Sequence, residues 1–116
     1  MGFKEDFSFS IRKTESDKIK KKYPDRYPVI IELQPGQENI LNLDKRKFLV
    51  PNNLTVGQLL HVVKSRIKNF NSTSALFLFV NNTLPQPSHQ VGEIYNQHAE
   101  DCGFLYFTVA AENTFG

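Results

Sequence analysis

Cysteine is nearly missing from this chain. Cys102 is the only one, so no internal disulfide can form, and the sequence reads as one for a reducing compartment, cytosol or nucleus. No apolar run approaches the roughly 18 uncharged residues that a membrane span needs. The opening Met-Gly-Phe-Lys-Glu-Asp has no apolar stretch behind its charges, so a secretory signal is not expected. Repeats and low-complexity segments are absent, which excludes solenoids. There is no glycine-rich phosphate loop. Positive charge is absent from residues 69–116, which hold four acids and no Lys or Arg, whereas residues 1–68 hold all 14 Lys and Arg against eight acids, a net +6. The overall charge of +2 alone would not suggest a polyanion partner. The asymmetry predicts a basic face suited to acidic peptides or membrane headgroups. What is present is ordinary for a folded protein: 116 residues, 40% apolar and 22% charged, the size of one domain.

Along the chain, residues 1–26 are polar and charge-rich, and Ile11, Lys18, Ile19 and Lys22 suggest short helical pieces. A helix of about 10–12 residues should end near Lys22, because Tyr23-Pro24 follows. Its last lysines would sit at the favourable end of the helix dipole. Pro28-Val-Ile-Ile-Glu-Leu33 is a β-branched run and predicts a buried strand. Gln34-Pro35-Gly36-Gln37 fits a type II turn. Lys47-Phe-Leu-Val-Pro51 predicts a second strand, its end or edge marked by Pro51. Thr55 and Gln58 form a capping box, with Leu54 and Leu59 at the staple positions. The helix after it puts Val56, Leu60, Val63 and Ile67 on one face, with Leu59 and Val62 beside that stripe as surplus apolar surface. Residues 69–74 read as a loop, Leu76–Val80 as a strand, and Asn81-Asn82 as turn chemistry. Ser88 is expected to cap a helix carrying Val91, Ile94, Tyr95 and His98. Phe104–Val109 is the last strand. Hairpin, crossover helix and further strands give an α+β protein with the order of a β-grasp fold, though the pattern alone leaves a ferredoxin-like arrangement open.

Catalytic chemistry finds little support. His98 lies four residues before Cys102, but nothing supplies the third group or the lowered thiol pKa that nucleophilic catalysis needs. His61, His89 and His98 are too dispersed for a metal site. Glu100 and Asp101 read as a solvated turn. The basic run Lys18–Arg26, with Tyr23 and Tyr27 interleaved, is better explained as a solvated helix face than as a nucleic-acid surface. Gly2 lacks the Ser or Thr at position 6 of a myristoylation signal, where Asp6 stands. Gly116 draws notice: a glycine carboxylate on an exposed tail has no Cβ to obstruct a narrow enzyme cleft.

Several ordered segments resemble the autophagy-related ubiquitin-like modifiers of the GABARAP type. They are Glu15–Ile19, Lys22–Arg26, Pro28–Ile30, Leu43–Pro51, Leu54–Gln58, Ala75–Phe77, Phe79–Asn82, Gly103–Tyr106 and Glu112–Gly116. The resemblance implies a ubiquitin-like, four-stranded mixed sheet with two additional N-terminal helices. It implies one unit: a helical extension over 1–26, a β-grasp core over 27–109 and a conjugation tail over 110–116. It implies a modifier and not an enzyme, without cofactor or metal. Gly116 would be joined to phosphatidylethanolamine by activating and conjugating enzymes, after any processing enzyme has exposed it. The protein would then move from cytoplasm to autophagosome membrane.

The resemblance also implies a groove for peptides carrying aromatic-x-x-aliphatic motifs, added as a strand beside the second strand. Its first pocket would comprise Glu15, Ile19, Pro28, Ile30, Lys47, Leu49 and Phe104. The second would comprise Phe48, Val50, Pro51, Leu54, Leu59 and Val62, and would be roomier for having Leu59 where larger aromatics are common. Arg26, Lys45, Lys47 and Arg66 would receive acidic flanking residues. Phe77 and Phe79 would form a second docking surface if they face away from the groove, and two core phenylalanines otherwise. A non-conjugated peptide-binding adaptor in vesicle trafficking is the alternative reading. No nucleic-acid partner is expected.

Overall fold

A computed structural model describes residues 2–38, 41–68 and 75–112. The loop expected over 69–74 and the end of the tail, Gly116 included, lie outside the described residues. The elements are α1 (Phe3–Asp6), α2 (Phe9–Lys22), β1 (Arg26–Leu33), β2 (Lys47–Pro51), α3 (Val56–Ser65), β3 (Leu76–Phe79), α4 (Val91–His98) and β4 (Leu105–Ala111).

The sheet order is β2-β1-β4-β3, with β1 antiparallel to β2, parallel to β4, and β3 antiparallel to β4. A hairpin at one edge, with the last strand returning parallel beside the first, is the β-grasp arrangement and not the ferredoxin-like one. Both faces of this sheet are covered, which is why β1 reads as a continuous apolar run and not an alternating one. Val29 and Ile31 point into the larger core with Phe48, Val50, Val63, Leu105 and Phe107. Ile30 points the other way, into a smaller cluster with Phe3, Cys102 and Phe104. Ile19 of α2 packs on that smaller cluster.

Local chemistry sets the element ends. Ser8 caps α2, its hydroxyl accepting from the Ile11 N–H at 3.3 Å. At 14 residues, α2 is longer than the 10–12 expected, because this cap admits a turn the apolar pattern does not mark. Thr55 and Gln58 form the predicted box, each side chain accepting from the other's backbone N–H, at 3.2 and 2.9 Å. The Gln37 N–H donates to the Gln34 carbonyl at 3.0 Å around a Gly36 with φ +91°, as the predicted turn requires. Asn81 and Asn82 both take positive φ.

Two expectations are corrected. Ser88 does not cap α4; Gln90 does, in a box with Glu93, because the chain enters this helix through a bridge between Gln90 and Thr55. Leu59 does not belong to surplus surface. It is 1% exposed within the main core, because the rotation of α3 against the sheet turns it inward.

Candidate functional site: the free edge of strand β2

No other strand among the described residues pairs with the outer side of β2. The hydrogen bonding of that edge follows from one contact. The Ile31 N–H donates to the Arg46 carbonyl at 2.8 Å. In an antiparallel pair the bonded positions recur every second residue, so in this register Phe48 and Val50 turn their backbone groups toward β1. Lys47 and Leu49 therefore aim N–H and C=O outward. The Arg26 guanidinium reaches that outward Leu49 carbonyl at 3.4 Å. Pro51 ends the row without a donor.

The structure brings all seven residues of the first predicted set together. Pro28 lies opposite Leu49 and Ile30 opposite Lys47 across the β1–β2 ladder. Pro28, Ile30 and Phe104 are buried and can supply only a floor. Ile19 and Leu49 are half-buried above them. The Lys47 ammonium is ion-paired with the Glu15 carboxylate, which ties α2 to β2 over this floor. The second set centres on the opposite face of β2, to which Phe48 and Val50 point, while Pro51 ends the strand on the Leu49 side. Phe48, Val50 and Leu59 are buried there, Pro51 and Leu54 are half-buried, and Val62 is 39% exposed on α3. Leu59 thus enters this set from beneath, as part of the core.

Around this edge sits positive charge with no ion-pair partner among the described residues. Arg26, Lys45 and Arg66 are exposed, the Lys45 ammonium lying 5.1 Å from the centre of the Phe48 ring. On the far side of the sheet, Phe77 and Phe79 of β3 are half-buried with ring centres 6.4 Å apart. Leu76 and Leu78 alternate with them into the core, so the two phenylalanines stand on the opposite face. That face is the one carrying Thr108 and Ala110, their partners on β4.

Cys102 has different neighbours from those a thiol–imidazole pair would need. Its sulfur lies 3.6 Å from an Arg12 Nη1 and 3.4 Å from the Tyr106 hydroxyl. His98 Nδ1 instead lies 2.8 Å from the Asn81 amide nitrogen. Among the described residues no three His, Cys, Asp or Glu side chains group as metal ligands. Sequence reasoning missed this Arg12–Cys102–Tyr106 cluster and also Ser16, a fully buried hydroxyl on α2 that donates to the Cys102 carbonyl. Only the small side chain of Ser16 on the buried helix face, and a glycine at 103, hinted at so close an approach.

Burial pushes the Tyr106 phenol well above its ordinary value, the Cys102 thiol pushes the same way, and the Arg12 guanidinium offsets only part of this. The sign of the consequence is fixed. While both states hold the proton, up to about pH 10, the folded-state advantage is complete. As pH rises further the unfolded chain releases its proton first, and that stability is lost. Wild type should therefore exceed Tyr106→Phe in stability at neutral pH, and the gap should narrow as pH rises from about 10 to about 12. Urea unfolding of both proteins across that range checks it.

Comparisons with known proteins bear on the whole assembly. A family profile described as "Autophagy protein Atg8 ubiquitin like" matches residues 11–116. Autophagy-related protein 8 of Schizosaccharomyces pombe is 48% identical over 114 residues, covering 98% of this chain and 93% of that one. Autophagy-related protein 8a of Arabidopsis thaliana is 50% identical over 105 residues, covering 90% and 84%. The crystal structure of Trypanosoma brucei ATG8 superposes with a TM-score of 0.90 at 36% identity, covering 100% of this chain and 98% of that one. Plasmodium falciparum Atg8, solved in complex with a P. falciparum Atg3 peptide, superposes with a TM-score of 0.83 at 31% identity, covering 95% of each. A β-grasp sheet with two N-terminal helices and near-complete coverage at these identities leads to one assignment. The chain belongs to the Atg8 family of autophagy-related ubiquitin-like proteins, which are modifiers and not enzymes.

Proposed function

We propose that this protein is conjugated through Gly116 to phosphatidylethanolamine on autophagic membranes. There its β2 edge would recruit cargo receptors and adaptors that carry aromatic-x-x-aliphatic motifs. The observation that carries the recruiting role is the unpaired β2 edge, with partly exposed apolar side chains on both of its faces. An added strand would take the outward N–H and C=O groups of Lys47 and Leu49. Its aromatic residue would rest on the first set of side chains and its aliphatic residue on the second. The first set reaches back to Lys47 and the second forward to Pro51 and Leu54, so such a peptide runs parallel to β2. Arg26, Lys45 and Arg66 would meet its acidic flanks and would mainly tune on-rate and specificity. A short motif of this kind is expected to bind at about micromolar Kd, roughly −8 kcal/mol. Phe77 and Phe79 stand on a separate edge as a second docking surface for other partners.

The conjugating role is supported by family membership and by a profile match that runs through residue 116. A P. falciparum Atg8 bound to an Atg3 peptide supports partners drawn from a conjugation system. The activating, conjugating and processing enzymes of that system are the proposed ones. None of the described helices is long and apolar enough to cross a membrane. Two acyl chains gain about 0.8 kcal/mol per buried CH₂, so conjugation would convert a cytoplasmic protein into an anchored one. The test is incubation with ATP, the activating and conjugating enzymes, and liposomes containing phosphatidylethanolamine. A mass increase of one lipid is the expected result. No increase, with the same enzymes active on a control modifier, would overturn the reading.

The groove has its own test. Leu49 is half-buried on the outer face of an edge strand, so Leu49→Arg should fold normally while placing a charge where an aromatic anchor must be desolvated. Peptide affinity measured by fluorescence anisotropy should fall at least about tenfold, or 1.4 kcal/mol. Unchanged affinity would place the peptide elsewhere.

A further inference from the structure

Ile11 is an apolar side chain with no evident structural purpose. It is 53% exposed on the first turn of α2, a helix whose other outward residues are mostly charged. It lines a surface depression of about 470 Å³ together with Ser10, Thr14, Glu15 and Lys18. Glu15 belongs at once to this depression and to the first set of groove residues. Ile11, Glu15 and Ile19 follow one another at i, i+4 and i+8, so they form a single stripe along α2. The depression lies wholly on α2 and shares Glu15 with the first set, so the two adjoin at the Glu15–Lys47 ion pair.

The side on which the depression adjoins the first set is fixed by the fold. Only Tyr23–Asp25 separate α2 from β1, and α2 packs against β1, so helix and strand run in opposite senses. Arg26 pairs with Pro51, which sets the C-terminal end of α2 beside the end of β2. Glu15 meets Lys47 at the start of β2. Ile11 lies one turn further, about 6 Å along the axis, beyond Lys47 on the side of Arg46. A peptide running parallel to β2 reaches that place with the residues that precede its aromatic anchor. An extended chain advances about 3.3 Å per residue and alternates its faces. The residue two places before the anchor covers the distance and points to the same side.

We infer that Ile11, with Thr14 and Lys18, forms an accessory subsite for an aliphatic side chain two residues ahead of the aromatic anchor in the bound peptide. This rests on the β2-edge reading above. The chemistry of the site favours such an occupant over a bare acidic flank. Glu15, the one acid in the depression, is already neutralised by Lys47, so an apolar group meets no free carboxylate. Lys18 is exposed, with no ion-pair partner among the described residues, and is placed to receive an acid adjacent in the same peptide. The subsite would let this protein prefer some motif-bearing partners over others that fill the two main pockets equally.

The experiment compares two synthetic peptides identical except for Leu or Ser two places before the aromatic residue. Each is titrated by fluorescence anisotropy into wild type, Ile11→Ser and Ile11→Val. Wild type should prefer the Leu peptide by about fivefold, the order expected for half-burying one aliphatic side chain. Ile11→Val should keep most of that preference. Ile11→Ser should abolish it while binding the Ser peptide as wild type does, which also reports an intact fold. Equal affinity of the two peptides for wild type, or a preference that survives Ile11→Ser, would overturn the subsite and leave the groove standing. Failure of both peptides to bind wild type would overturn the groove reading and the subsite with it.

Discussion

Gly116→Ala is expected to slow conjugation to phosphatidylethanolamine at least about a hundredfold while leaving thermal unfolding unchanged. The proposed chemistry passes the terminal carboxylate through three attacks. The carboxylate attacks the α-phosphate of ATP and releases pyrophosphate. An enzyme thiolate then displaces AMP to give a thioester, and the lipid amine finally displaces the thiolate to give the amide. The adenylation brings this carboxylate up to the α-phosphorus, and the two later attacks both occur at its carbonyl carbon. A methyl group on the adjacent Cα stands beside that trajectory and also narrows the backbone conformations open to the tail, since only glycine is free of the Cβ restriction. Displacing a reacting group by about 1 Å can cost two orders of magnitude in rate. The effect compounds over successive steps, which is why so small a substitution should have so large a result. The readout is the time course of the one-lipid mass increase. Leu49→Arg serves as the complementary variant, expected to conjugate and yet fail to bind motif peptides. Conjugation of Gly116→Ala at the wild-type rate would overturn the requirement for glycine at the reacting end.

Local signals in the sequence were sufficient wherever a feature depends on neighbours within a few residues. The Thr55–Gln58 box, the Gly36 turn, the two-sided burial of β1 and the position of β2 are all of this kind. Leu59 shows where such reasoning stops. On a helix with apolar residues at 56, 59, 60, 62 and 63, periodicity gives the width of the apolar face but not the depth of its contact. Burial of Leu59 and exposure of Val62 depend on how α3 is rotated against the sheet. The start of α4 is likewise set by contacts that are distant in sequence. Ser88 is the better intrinsic cap, yet the Gln90–Thr55 bridge and the Val91 N–H to Leu54 carbonyl bond, 2.8 Å, set the helix two residues later. The residues proposed for the groove come from α2, β1, β2 and the segment before β4, so only the family resemblance gathers them in the sequence. No local pattern connects Glu15 to Lys47 or Ser16 to Cys102.

That last connection has a large expected energetic consequence. Gly103→Ala should lower stability by about 3–4 kcal/mol, or roughly 15 °C in Tm. Two independent costs add. Gly103 has φ +94°, a conformation that disfavours an L side chain by about 1–2 kcal/mol. A Cβ at this position would also lie 3.0 Å from the Ser16 Cβ, and closer still to its hydroxyl oxygen. That hydroxyl cannot swing aside cheaply, because it is fully buried and bonded to the Cys102 carbonyl. The contact is where α2 presses against the turn leading into β4, so relief would have to come from lifting the helix. Ser16→Gly tests this assignment, since it removes both offending atoms. It should itself cost about 2 kcal/mol, from a glycine in a helix and an unsatisfied buried carbonyl. In that background Gly103→Ala should cost only the backbone strain, and the pair should fall short of additivity by about 2 kcal/mol. Because α2 carries Glu15 and Ile19 to the first groove set, Gly103→Ala should also weaken motif-peptide binding at temperatures where the protein remains folded. Strict additivity would mean that α2 yields freely at Ser16, and the groove would then owe its wall to the Glu15–Lys47 pair rather than to this junction.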